Sequence, residues 1–314
     1  MHFIVGYAAD DHGREALALG AWLARQHEAD LTVAYVVPEE FPIATRAHAR
    51  SSFPPEIEAQ VDEWLQAAQS WVVARGGVRV QARVVAADSP ARGLAQLATR
   101  SGASMIVLGS SRTSSLRHFG IGTVSGQLLH SSPVALALAP RGLDIAADRP
   151  VHRVWCGYAG TARSREALTA AMQLARRSGA PLRLVTFVVP DGVGMLGAGD
   201  VEQIVRRHRA EAHTALTEAL SMVDADVEAD TAIAAGPDVA AGFAGLDTAD
   251  GDVLVLGSSD AGPVERVFFG GTASRLLRGC PLPVVAVPRG GTEVPLDVTT
   301  ELPAIRPMPS EVHR

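Results

Sequence analysis

Val107-Leu108-Gly109-Ser110-Ser111 is a short apolar run that ends in a glycine and two hydroxyl residues. It recurs as Val255-Leu256-Gly257-Ser258-Ser259, 255 − 107 = 148 residues later. Pro140-Arg141-Gly142 recurs as Pro288-Arg289-Gly290 at the same offset. Two separate matches with one spacing indicate a duplicated chain. The match continues toward the N-terminus with small insertions. Val5-Gly6-Tyr7-Ala8 answers Cys156-Gly157-Tyr158-Ala159, and Val36-Val37-Pro38 answers Val188-Val189-Pro190. The copies are expected to span residues 1–142 and 150–290. Residues 143–149 then form a linker, and the Pro-rich, polar residues 291–314 form a tail with little core to join.

Within each copy, strands and helices alternate. In the first, Phe3–Tyr7, Leu31–Val37, Val78–Val85, Met105–Gly109 and Val134–Ala139 are short apolar or β-branched runs. Between them, Ile57, Val61, Trp64, Ala68 and Trp71 recur at helical spacing, which suits packing of a helix on a sheet. Ser89-Pro90 and Gly236-Pro237 each place a proline where a helix should begin, and Gly179 stands where one should end. Such alternation predicts two tandem doubly wound α/β domains, each a parallel sheet with helices on both faces.

Bulk composition excludes several classes. The 314 residues suit two domains of ordinary size, and 47% hydrophobic with 20% charged residues is globular rather than disordered. The formal charge is 28 − 34 = −6 and no basic stripe occurs, so no nucleic-acid partner is expected. The chain opens directly into a strand, Met1-His2-Phe3-Ile4-Val5, and holds no long apolar run, so a cytoplasmic protein without a membrane span is expected. The two cysteines, Cys156 and Cys280, have no CxxC or Cys/His ligand spacing around them and are expected to be free thiols. His208 and His213 are five residues apart and fall on different helix faces, and no metal site is expected.

Chemistry gathers after the fourth strand of each copy. The first copy reads Gly109-Ser-Ser-Arg112, nine residues, then Gly122-Thr123; the second reads Gly257-Ser-Ser-Asp260, nine residues, then Gly270-Gly271. A glycine at a strand end lets backbone approach a ligand, and a Gly-Thr that opens a helix offers free N–H groups to an anion such as phosphate. The same glycines also suit a plain strand-to-helix turn.

The element order, the paired loops, and the Ser132-Pro133-Val134 and Cys280-Pro281-Leu282-Pro283-Val284 openings of the last strands resemble the universal stress protein family. The resemblance covers nearly the whole chain and implies five-stranded sheets of order 3-2-1-4-5, paired through their last strands. In the family's ATP-binding branch it also implies a loop G-x2-G-x9-G-[S/T]. Carried over, the outer glycines are Gly109 and Gly122, or Gly257 and Gly270. The hydroxyl position is Thr123 in the first copy and Gly271 in the second. Arg112 and Asp260 replace the middle glycine, and Ala8 and Ala159 stand where the family often has a nucleotide-contacting Asp.

Three functions follow from different classes: a non-catalytic stress-response regulatory or binding protein, an ATP-binding protein with slow or no hydrolysis, and an adenine-nucleotide enzyme. The degenerate loops favour the first, and no catalytic residue or bound cofactor is expected. Neither a P-loop nor a G-x-S-x-G elbow with His and Asp partners occurs. Any ATP binding is expected to be weak and confined mainly to the first copy. Arg112 offers charge-assisted bonds to phosphate, whereas Asp260 brings a like charge, which at about 4 Å costs roughly 4 kcal/mol at an effective dielectric of about 20.

Overall fold

The computed structural model describes residues 1–38, 55–110, 121–189, 198–257 and 271–288. Arg112, Asp260, Gly270 and the tail 291–314 lie outside the described residues. The first repeat runs β1 (His2–Gly6), α1 (Asp11–Gln26), β2 (Asp30–Pro38), α2 (Pro55–Ala74), β3 (Val80–Ala87), α3 (Pro90–Ser101), β4 (Met105–Leu108), α4 (Thr123–Ser131) and β5 (Ala135–Leu138). The second runs β6 (Arg153–Gly157), α5 (Ala162–Ser178), β7 (Leu182–Val188), α6 (Ala198–Leu220), β8 (Ala229–Ala235), α7 (Val239–Ala244), β9 (Asp252–Gly257), α8 (Gly271–Gly279) and β10 (Val284–Val287).

Helix ends follow local chemistry. Ser89 caps α3, with Pro90 in its first turn, and α3 stops at Gly102, whose φ of 61° a side chain would strain. Gly179 ends α5 in the same left-handed conformation, at φ 67°. At Gly236-Pro237 the expected start is displaced. Helix α7 begins at Val239, because the Asp238 side chain accepts from the Ala241 N–H at 2.8 Å and is the stronger cap. On α2 the most buried stripe is Val61, Leu65, Ala68 and Val72, with Ile57, Trp64 and Trp71 packed along its flank. Trp64 meets Tyr35 with ring centroids 5.7 Å apart, and the Arg75 guanidinium lies 4.2 Å over Trp71.

Strand order across the molecule is β3-β2-β1-β4-β5-β10-β9-β6-β7-β8, so each repeat has the order 3-2-1-4-5. Pairing is parallel throughout each repeat. Among the described strands, only the β5–β10 pair joining the repeats is antiparallel. Its register sets Val285 opposite Ala137, with Val284 opposite Leu138 and Ala286 opposite Leu136. Since 285 − 137 = 148 is the repeat offset itself, equivalent residues face one another. A local two-fold axis therefore passes through the Ala137–Val285 pair.

Alternate residues of each strand enter opposite faces, and both faces are covered. Phe3 and Val5 join one core layer with α1, α2, α5 and α6, while Ile4 joins the other with α3, α4, α7 and α8. Each layer includes residues of both repeats. The segment between the repeats also packs: Ile145 and Ala147 are buried, and the Arg149 carbonyl accepts from Trp22 Nε1 at 2.8 Å and from Gln26 Nε2 at 3.2 Å. Cys156 and Cys280 are buried free thiols, and desolvation pushes both up to about 12.

Candidate functional site

In an open α/β sheet, ligands collect outside the carboxyl ends of the strands where the chain direction of winding reverses. In the first repeat that place lies between β1 and β4, and a cleft of about 460 Å³ occupies it. Tyr7 and Tyr35 line one side, Gly109 and Ser110 another, and Gly122 and Thr123 at the start of α4 a third. Pro90 and Leu94 of α3 complete an apolar wall. Burial pushes the Tyr7 phenol above its ordinary range, so the hydroxyl stays a neutral hydrogen-bonding group.

The cleft's frame is fixed by very close backbone contacts. A Cβ on Gly109 would lie 1.9 Å from the His12 carbonyl oxygen, and one on Gly13 would lie 1.8 Å from that of Ala8. Gly257 repeats the first relation, 2.4 Å from the Arg163 carbonyl oxygen. Gly109 and Gly257 thus seat the first turns of α1 and α5 against the sheet, and Gly109 lines the cleft as well. Ala8 lies in the β1–α1 loop and also lines the cleft. Its methyl carries no polar group toward a ligand.

At the start of α4, Gly122 is the N-cap, and its N–H is already held by Ser125 Oγ at 2.8 Å. Thr123 is exposed at the rim, where an anion would meet the first-turn N–H groups. The structure brings Ala8, Gly109, Gly122 and Thr123 together at the cleft; Arg112 lies outside the described residues.

Glu15, His12 and Asp10 were not among the residues singled out from the sequence. Glu15 is buried on α1, and its Oε2 accepts from Ser110 Oγ at 2.7 Å and Ser110 N at 3.3 Å. Its Oε1 accepts from Gly142 N at 2.6 Å. His12 Nδ1 lies 3.2 Å from Ser110 Oγ and 3.4 Å from Glu15 Oε2. Asp10 caps α1 by accepting from Gly13 N at 3.0 Å. A sequence signal for Glu15 does exist: Arg14-Glu15-Ala16-Leu17 recurs as Arg165-Glu166-Ala167-Leu168. In the second repeat, Glu166 Oε1 pairs with Arg163 Nη1 at 2.8 Å.

The loop after β6 differs from its partner. Tyr158 is buried, unlike Tyr7, and its carbonyl accepts from Thr186 Oγ1 at 2.6 Å. Ala159 N donates to Ser164 Oγ at 3.1 Å, and a Cβ on Gly160 would stand 3.6 Å from Ala215 of α6. Gly257 ends β9 and Gly271 opens α8, while Asp260 and Gly270 fall outside the described residues. Among the described residues no three His, Cys, Asp or Glu side chains gather as metal ligands, and no helix is long and apolar enough to cross a membrane.

The universal stress protein family model matches residues 1–140 and again 150–288. The chain belongs to that family. A universal stress protein of Mycobacterium tuberculosis is 31% identical over 298 residues, covering 92% of this chain and all 100% of the relative. The crystal structure of a universal stress protein from Archaeoglobus fulgidus superposes with a TM-score of 0.64 at 18% identity, covering 92% of this chain and 98% of that one. A universal stress protein from Pseudomonas aeruginosa gives 0.52 at 15% identity, covering 91% and 92%. At these identities the two structures establish the fold, and the family follows from the first two matches.

Proposed function

We propose that this tandem universal stress protein is a non-catalytic regulatory protein of the stress response, whose first repeat holds an adenine nucleotide weakly in the cleft beside α4. One observation carries the reading. The cleft is open and flanked by Tyr7 and Tyr35, yet Asp10 and His12, the carboxylate and the imidazole of its described lining, are already bonded into the frame. Asp10 caps α1, Glu15 holds Ser110 and Gly142, and His12 rests on both Glu15 and Ser110. A general base must reach the proton that it takes; Glu15 is buried in the frame, and Asp10, though exposed, is held as the α1 cap.

Weakness follows from what the cleft lacks. Ala8 supplies no polar group, and the Gly122 N–H is spent on Ser125. Arg112 is the residue that would add charge to the phosphate end, and Asp260 would oppose an anion in the second repeat. The aromatic walls and the start of α4 supply stacking area and first-turn donors. Titration calorimetry with ATP should therefore give weak binding with a stoichiometry of one per chain, and a phosphate-release assay should stay at background. Tight binding at two sites, or sustained turnover, would refute the proposal.

A further inference from the structure

Beside the cleft, a second open cavity of about 910 Å³ runs between α3 and α4. Gly122 and Thr123 line both, so the two adjoin at the α4 N-terminus. From there the groove follows Thr123, Gln127 and His130 on α4, a path of about 10 Å at 1.5 Å per residue. Ala91 and Ala95 of α3 face it with short side chains, and Gly126 of α4 brings none, which is why the space exists.

The two compartments differ in chemistry. The cleft has two tyrosines; the groove's described lining has no Phe, Tyr or Trp, and presents the side-chain amides of Gln96 and Gln127 with Ser131, beside Arg92 and His130. Amides exchange hydrogen bonds with other amides, and small side chains admit a narrow flexible chain.

We propose that the groove is a subsite for an amide-bearing aliphatic arm carried on the diphosphate of an adenine nucleotide, the chemical class of coenzyme A and its thioesters. This rests on the nucleotide reading of the first cleft. The arm leaves the phosphates at Gly122 and Thr123 and lies between α3 and α4, adding contacts that ATP cannot make.

Calorimetry on the full chain with ADP and with dephospho-coenzyme A tests the arm, because dephospho-coenzyme A is ADP esterified by that arm on its terminal phosphate, with one ionisable oxygen fewer. Dephospho-coenzyme A should bind at least about tenfold tighter, the scale of one or two net hydrogen bonds. Gln96→Ala combined with Gln127→Ala should remove that difference and leave ADP affinity unchanged. Ala95→Phe, which fills the groove, should do the same. Should Ala95→Phe lose native circular dichroism, the double variant decides, since Gln127 is exposed and Gln96 half-buried. Equal affinity of the two ligands for the wild type overturns the groove while leaving the nucleotide site intact. Diadenosine tetraphosphate binding as tightly as dephospho-coenzyme A overturns the assigned class. Binding of neither ADP nor dephospho-coenzyme A overturns the nucleotide reading and this one with it.

Discussion

Glu15 gathers donors from two distant stretches of chain, Ser110 after β4 and Gly142 after β5. Removing it strands the buried Ser110 N–H and hydroxyl, each costing about 1–3 kcal/mol if unmet by water, and frees the Gly142 N–H, which lies nearer solvent. Glu15→Ala should lower stability by about 2–4 kcal/mol, read as a lower urea midpoint at an unchanged slope. His27 is the complementary case. It sits at the end of α1 against Phe3, with ring centroids 5.5 Å apart, and its Nδ1 is buried with no partner. Burial first, then Arg177 and the N-terminal amine, lower it from 6.5 to about 4. The unfolded chain therefore takes up this proton at a higher pH than the folded chain does. Its contribution is complete above about pH 6.5 and is lost as pH falls toward about 4, on the order of 3 kcal/mol in total. His2, also lowered by burial, titrates in the same direction, so the comparison must isolate His27. His27→Gln should flatten the stability profile between pH 6.5 and 4 relative to wild type; an unchanged profile would locate the sensitivity elsewhere.

Helix α1 connects these residues. Its first turn frames the cleft, its middle carries Glu15, and Trp22 and Gln26 hold the Arg149 carbonyl that leads into the second repeat. Its seating depends on Gly13 lying directly over the Ala8 carbonyl. Gly13→Ala must push the β1–α1 loop away, at a cost of about 1–3 kcal/mol, and should weaken nucleotide binding together with stability. Paired thermal melts and ATP titrations would show whether both move. The strands of the first repeat, the start of α3 and the end of α5 were legible in the sequence because apolar runs and caps act locally, while the sheet order came from the family resemblance. The site was legible only in outline. Ala8, Gly109, Gly122 and Thr123 do meet, but the role of Gly109 in seating α1 depends on a contact with His12, far away in sequence. Glu15 looked like one more polar helix residue, since nothing nearby in sequence reveals that its acceptors serve Ser110 and Gly142. The same limit applied to α7, where Gly236-Pro237 drew the start forward and Asp238 won through a hydrogen bond.

At the scale of the molecule, the ten strands make one sheet, and both core layers run across the junction. Folding should then be a single event, with calorimetric and van't Hoff enthalpies agreeing. Val285→Asp puts a carboxyl at a buried position beside Ala137 and should cost several kcal/mol, because no partner there meets the charge. The variant should split the melt into two transitions as the halves lose their seam; one sharp transition at a lower temperature would mean that the layers alone couple them.

The seam also has a genetic meaning. In a dimer of identical chains, the residue on the axis faces its own copy, so every change there is made twice and the pair is always like with like. Here alanine faces valine at that position. Fusion of the two halves released the axis from self-pairing, allowing a larger and a smaller side chain to be matched there. It equally leaves the two pockets free to diverge, one toward a purely architectural duty and the other toward the nucleotide proposed for it.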